Sequence, residues 1–90
     1  MAEFKHLGIY LKAKRATTNF TQGGLAEELG NVHSQFISNW ERGLCAPPNH
    51  CFPKLISLLK IDKKELVKVM LKDAQEEIES KIYKKKPAKR

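Results

Sequence analysis

The sequence predicts an all-α domain of five helices. Apolar residues recur every three to four positions through most of the chain, which is the period of a helix with one buried face. No segment shows the alternating apolar and polar pattern of a half-buried β-strand. Glycine, proline and small polar residues divide the periodic segments at places where helices begin and end. A chain of 90 residues can bury one modest core.

The first helix is predicted over residues 4–17, where apolar and lysine side chains separate onto different faces. Arg15 lies four residues after Leu11 and therefore shares the apolar face. A charged group on that face needs an ionic partner, or must extend along the surface until it reaches water. Thr21 is a natural N-cap for the next helix, and Phe20 before it can pack as a hydrophobic staple.

The chain is organised around residues 21–43, which predict two short helices joined by a turn. Leu25, Ala26 and Leu29 form the apolar stripe of the first helix, and Gly30 stands where its C-cap is expected. A second apolar stripe, closed by Gly43, consists of Phe36, Ile37 and Trp40. The opposite face of this second helix carries groups that can donate to and accept from base edges, namely Ser34, Gln35, Ser38, Asn39 and Arg42.

Two further helices are predicted after a proline-containing connector. The fourth begins near residue 52 or 53, because Pro53 is tolerated in a first turn. Asp62 is the N-cap of the fifth, with Glu65 as its capping-box partner. The later part of this helix leaves an apolar stripe that can fold back, pair with another subunit or fray: Val67, Leu71, Ala74, Ile78 and Ile82. The predicted core consists of Leu7, Leu11, Leu25, Leu29, Ile37, Trp40, Leu55, Leu58 and Leu66.

Residues 21–43 resemble the phage repressor and Cro type of helix-turn-helix, also described as the xenobiotic response element type. The matching residues, in order, are Thr21-Gln22, Leu25-Ala26, Leu29-Gly30 and Ile37-Ser38-Asn39-Trp40-Glu41-Arg42-Gly43. The turn after Gly30 is one residue longer than the commonest pattern, and Gly23 and Gly24 replace helix-forming polar residues. The resemblance extends more loosely over residues 4–71. It implies a compact five-helix, lambda-repressor-like domain at residues 1–72. It does not cover residues 73–90, where apolar periodicity and charge predict a helical extension and a basic tail.

The resemblance implies a sequence-specific transcriptional regulator, a repressor, that reads the major groove of double-stranded DNA with residues 34–42. Its base contacts fall here on Ser34, Gln35, Ser38 and Asn39. Its contacts to the DNA backbone fall on Thr21, Gln22, His33, Arg42 and Asn49. It also implies an ion pair between Arg15 and Glu41. The partner is a near-palindromic operator, bound by a homodimer at least on DNA.

The composition agrees with an anionic partner. Seventeen lysine and arginine residues against ten aspartate and glutamate residues give a net charge of +7, although solubility alone also accounts for such a charge. Residues 84–90 hold five basic residues, which predicts a disordered tail that adds affinity without specificity. No apolar run is long enough to cross a bilayer or act as a signal peptide, so we expect a cytoplasmic, nucleoid-associated protein with reduced cysteines.

Metal and catalytic roles are not indicated. Cys45 and Cys51 are separated by five residues, with His50 beside them, and lack the paired short spacings of structural zinc sites. No nucleophile, base and orienting group occur at a suitable spacing, so we predict a non-enzyme without cofactor or metal. Two alternative functions stay open: an antitoxin-like protein that binds a toxin through its C-terminal helix and autoregulates its operon, or a less specific nucleoid-associated DNA binder.

Overall fold

The computed structural model describes residues 3–83, and this part of the chain folds into five α-helices. They are α1 (Lys5–Thr17), α2 (Gln22–Glu28), α3 (Ser34–Glu41), α4 (Phe52–Leu58) and α5 (Lys63–Tyr83), with one turn of 3-10 helix at Asn49–Cys51 before α4. No strand occurs between residues 3 and 83, so the all-helical prediction is confirmed. None of the helices in this range is long and apolar enough to cross a membrane. The predicted basic tail at residues 84–90 lies outside the described residues.

One hydrophobic core receives side chains from all five helices. Most of the predicted core residues are buried, namely Leu7, Leu11, Leu25, Ile37, Trp40, Leu55 and Leu66. Leu29 and Leu58 instead lie at the edge of the core and are only partly buried. Each stands at the end of a helix, where the chain turns away. Leu59, the residue after Leu58, is completely buried, because the turn after α4 directs Leu59 and Ile61 into the core.

Helix α1 packs against both α3 and α5 and lies close to the backbone at the end of α3. Gly8 is buried there, and a Cβ atom added to it would lie 2.6 Å from the backbone oxygen of Glu41 and 2.7 Å from that of Trp40. The backbone N–H of Phe4 donates to the carbonyl oxygen of Gly43, at 3.1 Å. The absence of a side chain at residue 8 therefore lets α1 fix the position of the C-terminal end of α3.

The N-terminal end of α1 is held by a carboxylate from α5. Asp73 is 7% exposed, and its two oxygens accept the backbone N–H groups of His6 at 2.9 Å and Leu7 at 2.8 Å. Beside them, the His6 imidazole Nε2 lies 2.9 Å from Glu76 Oε2. N–H groups in the first turn of a helix have no partner within that helix, and a negative charge is favoured there. Helix α5 runs through residues 72 and 73 without a break and supplies the N-terminal cap of α1.

The start of α5 is joined to α1 by a second contact. Asp62 Oδ1 accepts the backbone N–H of Lys64 at 3.1 Å, as expected of an N-cap. Glu65, the expected capping-box partner, instead accepts a hydrogen bond from the Tyr10 hydroxyl at 3.0 Å. Burial first, and then this bond to Glu65, raises the pKa of Tyr10 to about 12. The contact fixes the angle between the two helices at the end opposite Asp73.

Candidate nucleic-acid interface

Helices α2 and α3 are joined by a turn that two left-handed residues make possible. Thr21 caps α2, since its Oγ1 accepts the backbone N–H of Gly24 at 2.9 Å. After α2, Gly30 has φ of 97° and Asn31 has φ of 62°. Glycine adopts this region freely, and asparagine tolerates it better than most side chains. The longer turn expected after Gly30 therefore contains two consecutive left-handed residues, and α3 then begins at Ser34.

The C-terminal end of α3 is closed by a glycine in the same backbone region. Gly43 has φ of 77°. The N–H of Leu44 donates to the carbonyl oxygen of Asn39, and the N–H of Gly43 donates to that of Trp40, both at 3.0 Å. These two bonds form a Schellman motif, which satisfies carbonyl groups left free at a helix end. The C-terminal end of α3 is thus defined by local hydrogen bonds, and the helix ends at Glu41.

The orientation of α3 about its own axis is set by two buried side chains. Ile37 is 1% exposed and Trp40 is 4% exposed. On the other side, Ser34 and Gln35 are exposed, and Ser38 and Asn39 are half-buried. The four residues predicted to contact bases therefore share one helix and are turned away from its most deeply buried side.

Phe36 does not belong to the buried stripe in which the sequence placed it. Its side chain is 49% exposed, because it lies about 100° around the helix from Ile37, at the edge of the polar face of α3. The His33 ring packs edge-on against it, with ring centroids 6.3 Å apart and an interplanar angle of 82°. Apolar periodicity alone could not show that this ring is exposed beside the polar residues of α3.

The exposed amides of α3 are linked to one another. Gln35 Nε2 donates to Asn39 Oδ1 at 3.0 Å, and Arg42 Nη2 donates to the same oxygen at 3.2 Å. Asn39 therefore keeps its amide N–H₂ as a donor, while Gln35 keeps its carbonyl oxygen as an acceptor. The result is a row of donor and acceptor groups along one exposed face, running from Gln35 to Arg42.

A buried ionic cluster anchors this helix to the rest of the domain. Arg15 binds Glu41 through two hydrogen bonds, from Nε to Oε2 at 2.5 Å and from Nη2 to Oε1 at 3.1 Å. The Glu41 side chain is only 4% exposed. Arg15 Nη1 also donates to the carbonyl oxygen of Phe20 at 2.9 Å. The hydrogen bond with Glu41 raises the pKa of Arg15, so the guanidinium stays charged. The ion pair implied by the resemblance is present and joins α1, α3 and the connector before α2.

Gln22 belongs to the same cluster. Its Nε2 donates to Glu41 Oε1 at 3.0 Å, and the residue is half-buried. The resemblance assigned this residue to a DNA backbone contact, for which the second hydrogen of the same amide stays free. Its contact with Glu41 could not be read from spacing, because it depends on how α2 crosses the end of α3.

The other residues assigned to the DNA backbone occupy two separate segments. His33 and Arg42 are exposed at the two ends of α3. Asn49 is exposed at the first residue of the 3-10 turn, and within residues 3–83 no hydrogen bond joins it to α3. Thr21 is exposed, but its hydroxyl oxygen already serves as the cap of α2.

The remaining candidate ligands are dispersed. Cys45 is exposed and Cys51 is buried, and both are free thiols. Within the described part of the chain, no three histidine, cysteine, aspartate or glutamate side chains are grouped closely enough to hold a metal ion.

The fold and the site together define a small helical domain that presents a polar helix face, anchored by a buried ion pair. Comparison of the chain with protein-family models, with curated proteins and with solved structures gave no match.

Proposed function

We propose that this protein binds double-stranded DNA sequence-specifically through α3 and acts as a transcriptional regulator, a repressor. The observation that carries the proposal is the division of α3 into a buried side, held by Ile37 and Trp40, and a face of linked amides at Gln35 and Asn39. A helix of this width fits the major groove, where amide side chains can distinguish base pairs. We also propose that α2 and α3 together form a helix-turn-helix motif.

In this proposal the base contacts come from the N-terminal half of α3. Gln35 lies near the end of the helix that reaches deepest in this type of docking. A glutamine or asparagine amide can bind the N6 and N7 atoms of adenine together. The linkage between Gln35 and Asn39 restricts both side chains before DNA arrives, which reduces the entropy lost on binding. Ser34 and Ser38 supply smaller hydroxyl groups on the adjoining edge.

Phe36 adds an apolar contact to this face. Its half-exposed ring is held by His33 at the rim of the amide row. Thymine alone carries a methyl group in the major groove, and apolar side chains contact it favourably. In the proposed complex, Phe36 therefore favours a thymine next to the base that Gln35 reads.

Contacts to phosphate groups position the helix without reading sequence. His33 and Arg42 at the ends of α3, together with Thr21, Gln22 and Asn49, are the proposed contacts. The net charge of +7 attracts DNA over a longer range. One domain covers only a half-site, so we propose a homodimer on a near-palindromic operator, in the cytoplasm at the nucleoid.

Selection of bound sequences from random DNA, followed by binding isotherms on single-base variants, tests the proposal. Gln35→Ala should cost about 1–3 kcal/mol on the preferred site and relax the choice of base at one symmetric pair of positions. Gln75→Ala, an exposed glutamine on α5, is the matched control and should leave binding unchanged. Unaltered affinity and base preference in Gln35→Ala would show that α3 is not the reader. Equal affinity for all sequences would instead identify a general DNA binder.

A methyl-group substitution tests the role of Phe36. Replacing thymine by uracil in the selected site removes only the C5 methyl group. One such replacement in each half-site should weaken wild-type binding, and the same replacement should have no effect on Phe36→Ala. Leu44→Ala, which removes another exposed apolar side chain outside α3, should keep the wild-type response to uracil.

A further inference from the structure

Helix α5 carries an apolar face that no other described part of the chain covers. We call it the α5 stripe. Its large members are more than half exposed: Val67 is 56% exposed, Leu71 61%, Ile78 53% and Ile82 67%, and Ala74 between them is also exposed. The side of α5 that faces α1 is a different one, since it contains the buried Leu66 and Asp73. Apolar stripes of this kind on a soluble helix mark contact surfaces.

Large apolar side chains are arranged symmetrically about the centre of the α5 stripe. Its centre lies just after Ala74, with Leu71 and Ile78 at equal distances on either side and Val67 and Ile82 at equal distances beyond them. A two-fold symmetric contact requires a surface that matches a reversed copy of itself. A small residue at the centre also lets two helix backbones approach closely there. The distribution of side-chain size is therefore suited to a second α5 running in the opposite direction.

The charges beside the α5 stripe are also matched by reversal. Lys68 and Lys72 precede Ala74 and are exposed, while Glu79 follows it on the same flank. If two α5 helices pair antiparallel with Leu71 against Ile78, then Glu79 of one copy falls between Lys68 and Lys72 of the other. A parallel pairing instead places Glu79 near both Glu77 and Lys81 of the second copy, which already form an ion pair with each other, so no comparable attraction arises there. Charge complementarity thus favours one occupant and one direction.

We propose that the α5 stripe binds the α5 stripe of a second copy of this chain, antiparallel and with Leu71 of each copy against Ile78 of the other. The contact joins the chains on the exposed side of α5 and uses none of the α3 side chains assigned to DNA. It does not depend on DNA binding, so it can be tested on the free protein. The two proposals fail independently of each other.

Sedimentation equilibrium of the full chain without DNA, up to about 100 µM, tests the pairing. The wild type should be a dimer whose dissociation constant falls in or below this range. Ile78→Asp should be monomeric throughout, while its circular dichroism stays helical. Leu44→Asp, at a residue that is 55% exposed outside α5, should dimerise like the wild type. A monomeric wild type, or an Ile78→Asp variant that still dimerises, would overturn the proposal, and an unrelated protein partner would then be the occupant to seek.

Charge reversal tests the direction of pairing. In the antiparallel dimer, Glu79→Lys places a lysine between two lysines at both symmetric positions, so the dissociation constant should rise about tenfold at low salt. Adding Lys68→Glu and Lys72→Glu to the same chain should restore it. In a parallel dimer Glu79→Lys would lie beside the Glu77–Lys81 pair, so the dissociation constant should stay nearly unchanged. An unchanged or lower dissociation constant of the single variant therefore overturns the antiparallel arrangement.

Discussion

Removing the buried Asp73 carboxylate should destabilise the domain far more than changes on the exposed side of α5. Its two oxygens satisfy the N–H groups of His6 and Leu7, one partly and one fully buried. In Asp73→Ala both N–H groups lose their acceptor, and the first turn of α1 loses the negative charge that its dipole favours. Asp73→Asn keeps one acceptor oxygen in place but loses the charge, so it separates the two effects.

The magnitude follows from the number and type of bonds. A hydrogen bond to a charged group contributes roughly 1.5–3 kcal/mol when one partner is removed from a buried site. An ordinary N-cap, which satisfies a single N–H, contributes about 0.5–2 kcal/mol. Two bonds at a site that is 7% exposed therefore predict a loss of about 3 kcal/mol for Asp73→Ala and about half of that for Asp73→Asn. For a domain of this size, 3 kcal/mol corresponds to a decrease in Tm of roughly 12–24 °C.

Urea unfolding followed by circular dichroism, at one fixed protein concentration, measures the loss. Gln75→Ala, at an exposed residue two positions after Asp73, is the control and should change stability by less than about 0.5 kcal/mol. Hydrogen exchange supplies a local readout, because the amides of His6 and Leu7 should exchange faster in Asp73→Ala relative to amides in α3. If Asp73→Ala unfolds like the control, or if those two amides keep their protection, the cap does not hold α1.

Three further predictions concern the contacts of α1. Arg15→Met and Glu41→Leu should each lower the free energy of unfolding by roughly 3–5 kcal/mol, because each leaves a buried charge without its partner. In the double variant the loss should be smaller than the sum of the two single losses. Strictly additive losses in urea unfolding would show that the two residues are uncoupled. Gly8→Ala should cost roughly 1–3 kcal/mol, since the new Cβ meets two backbone oxygens. Gly23→Ala, where nothing lies within 4 Å, should be neutral or stabilising, and equal Tm values for the two alanine variants would refute the packing argument. The folded-state pKa of Tyr10 is raised to about 12, so its contribution to stability is complete below about pH 10 and is lost as pH rises towards 12. Tyr10→Phe should lack this part of the alkaline decrease when urea midpoints of both proteins are compared across that range.

The elements of this domain could be predicted from local signals. Thr21 and Asp62 cap helices as their side chains suggest, and Gly30 and Gly43 end helices in the left-handed conformation that favours glycine. These signals lie within a few residues of the structure they determine. The partner of Arg15 came from the resemblance instead, since apolar spacing showed only that a charge had to be satisfied.

The features that escaped prediction depend on contacts between distant segments. In the sequence, nothing distinguishes Asp73 from a surface residue of α5. It caps α1 only because α5 crosses α1 at this residue. Phe36 has the composition of a core residue, but the rotation of α3 about Ile37 and Trp40 leaves it half-exposed. Gln22 turns towards Glu41 because α2 crosses the end of α3. Periodicity gives the faces of a helix, whereas the angle between helices decides what each face meets.

The cap on α1 also governs when the domain can be completed during synthesis. The acceptor for the N–H of Leu7 is 66 residues further along the chain, and the acceptor for that of His6 is 67 residues away. A ribosome releases the N-terminal end first, so α1 is made long before the residue that holds it exists. In the nascent chain, α1 can already contact α3, but its N-terminal turn stays uncapped until α5 has emerged. The first of the five helices to be synthesised therefore receives its cap only when the last of them is made.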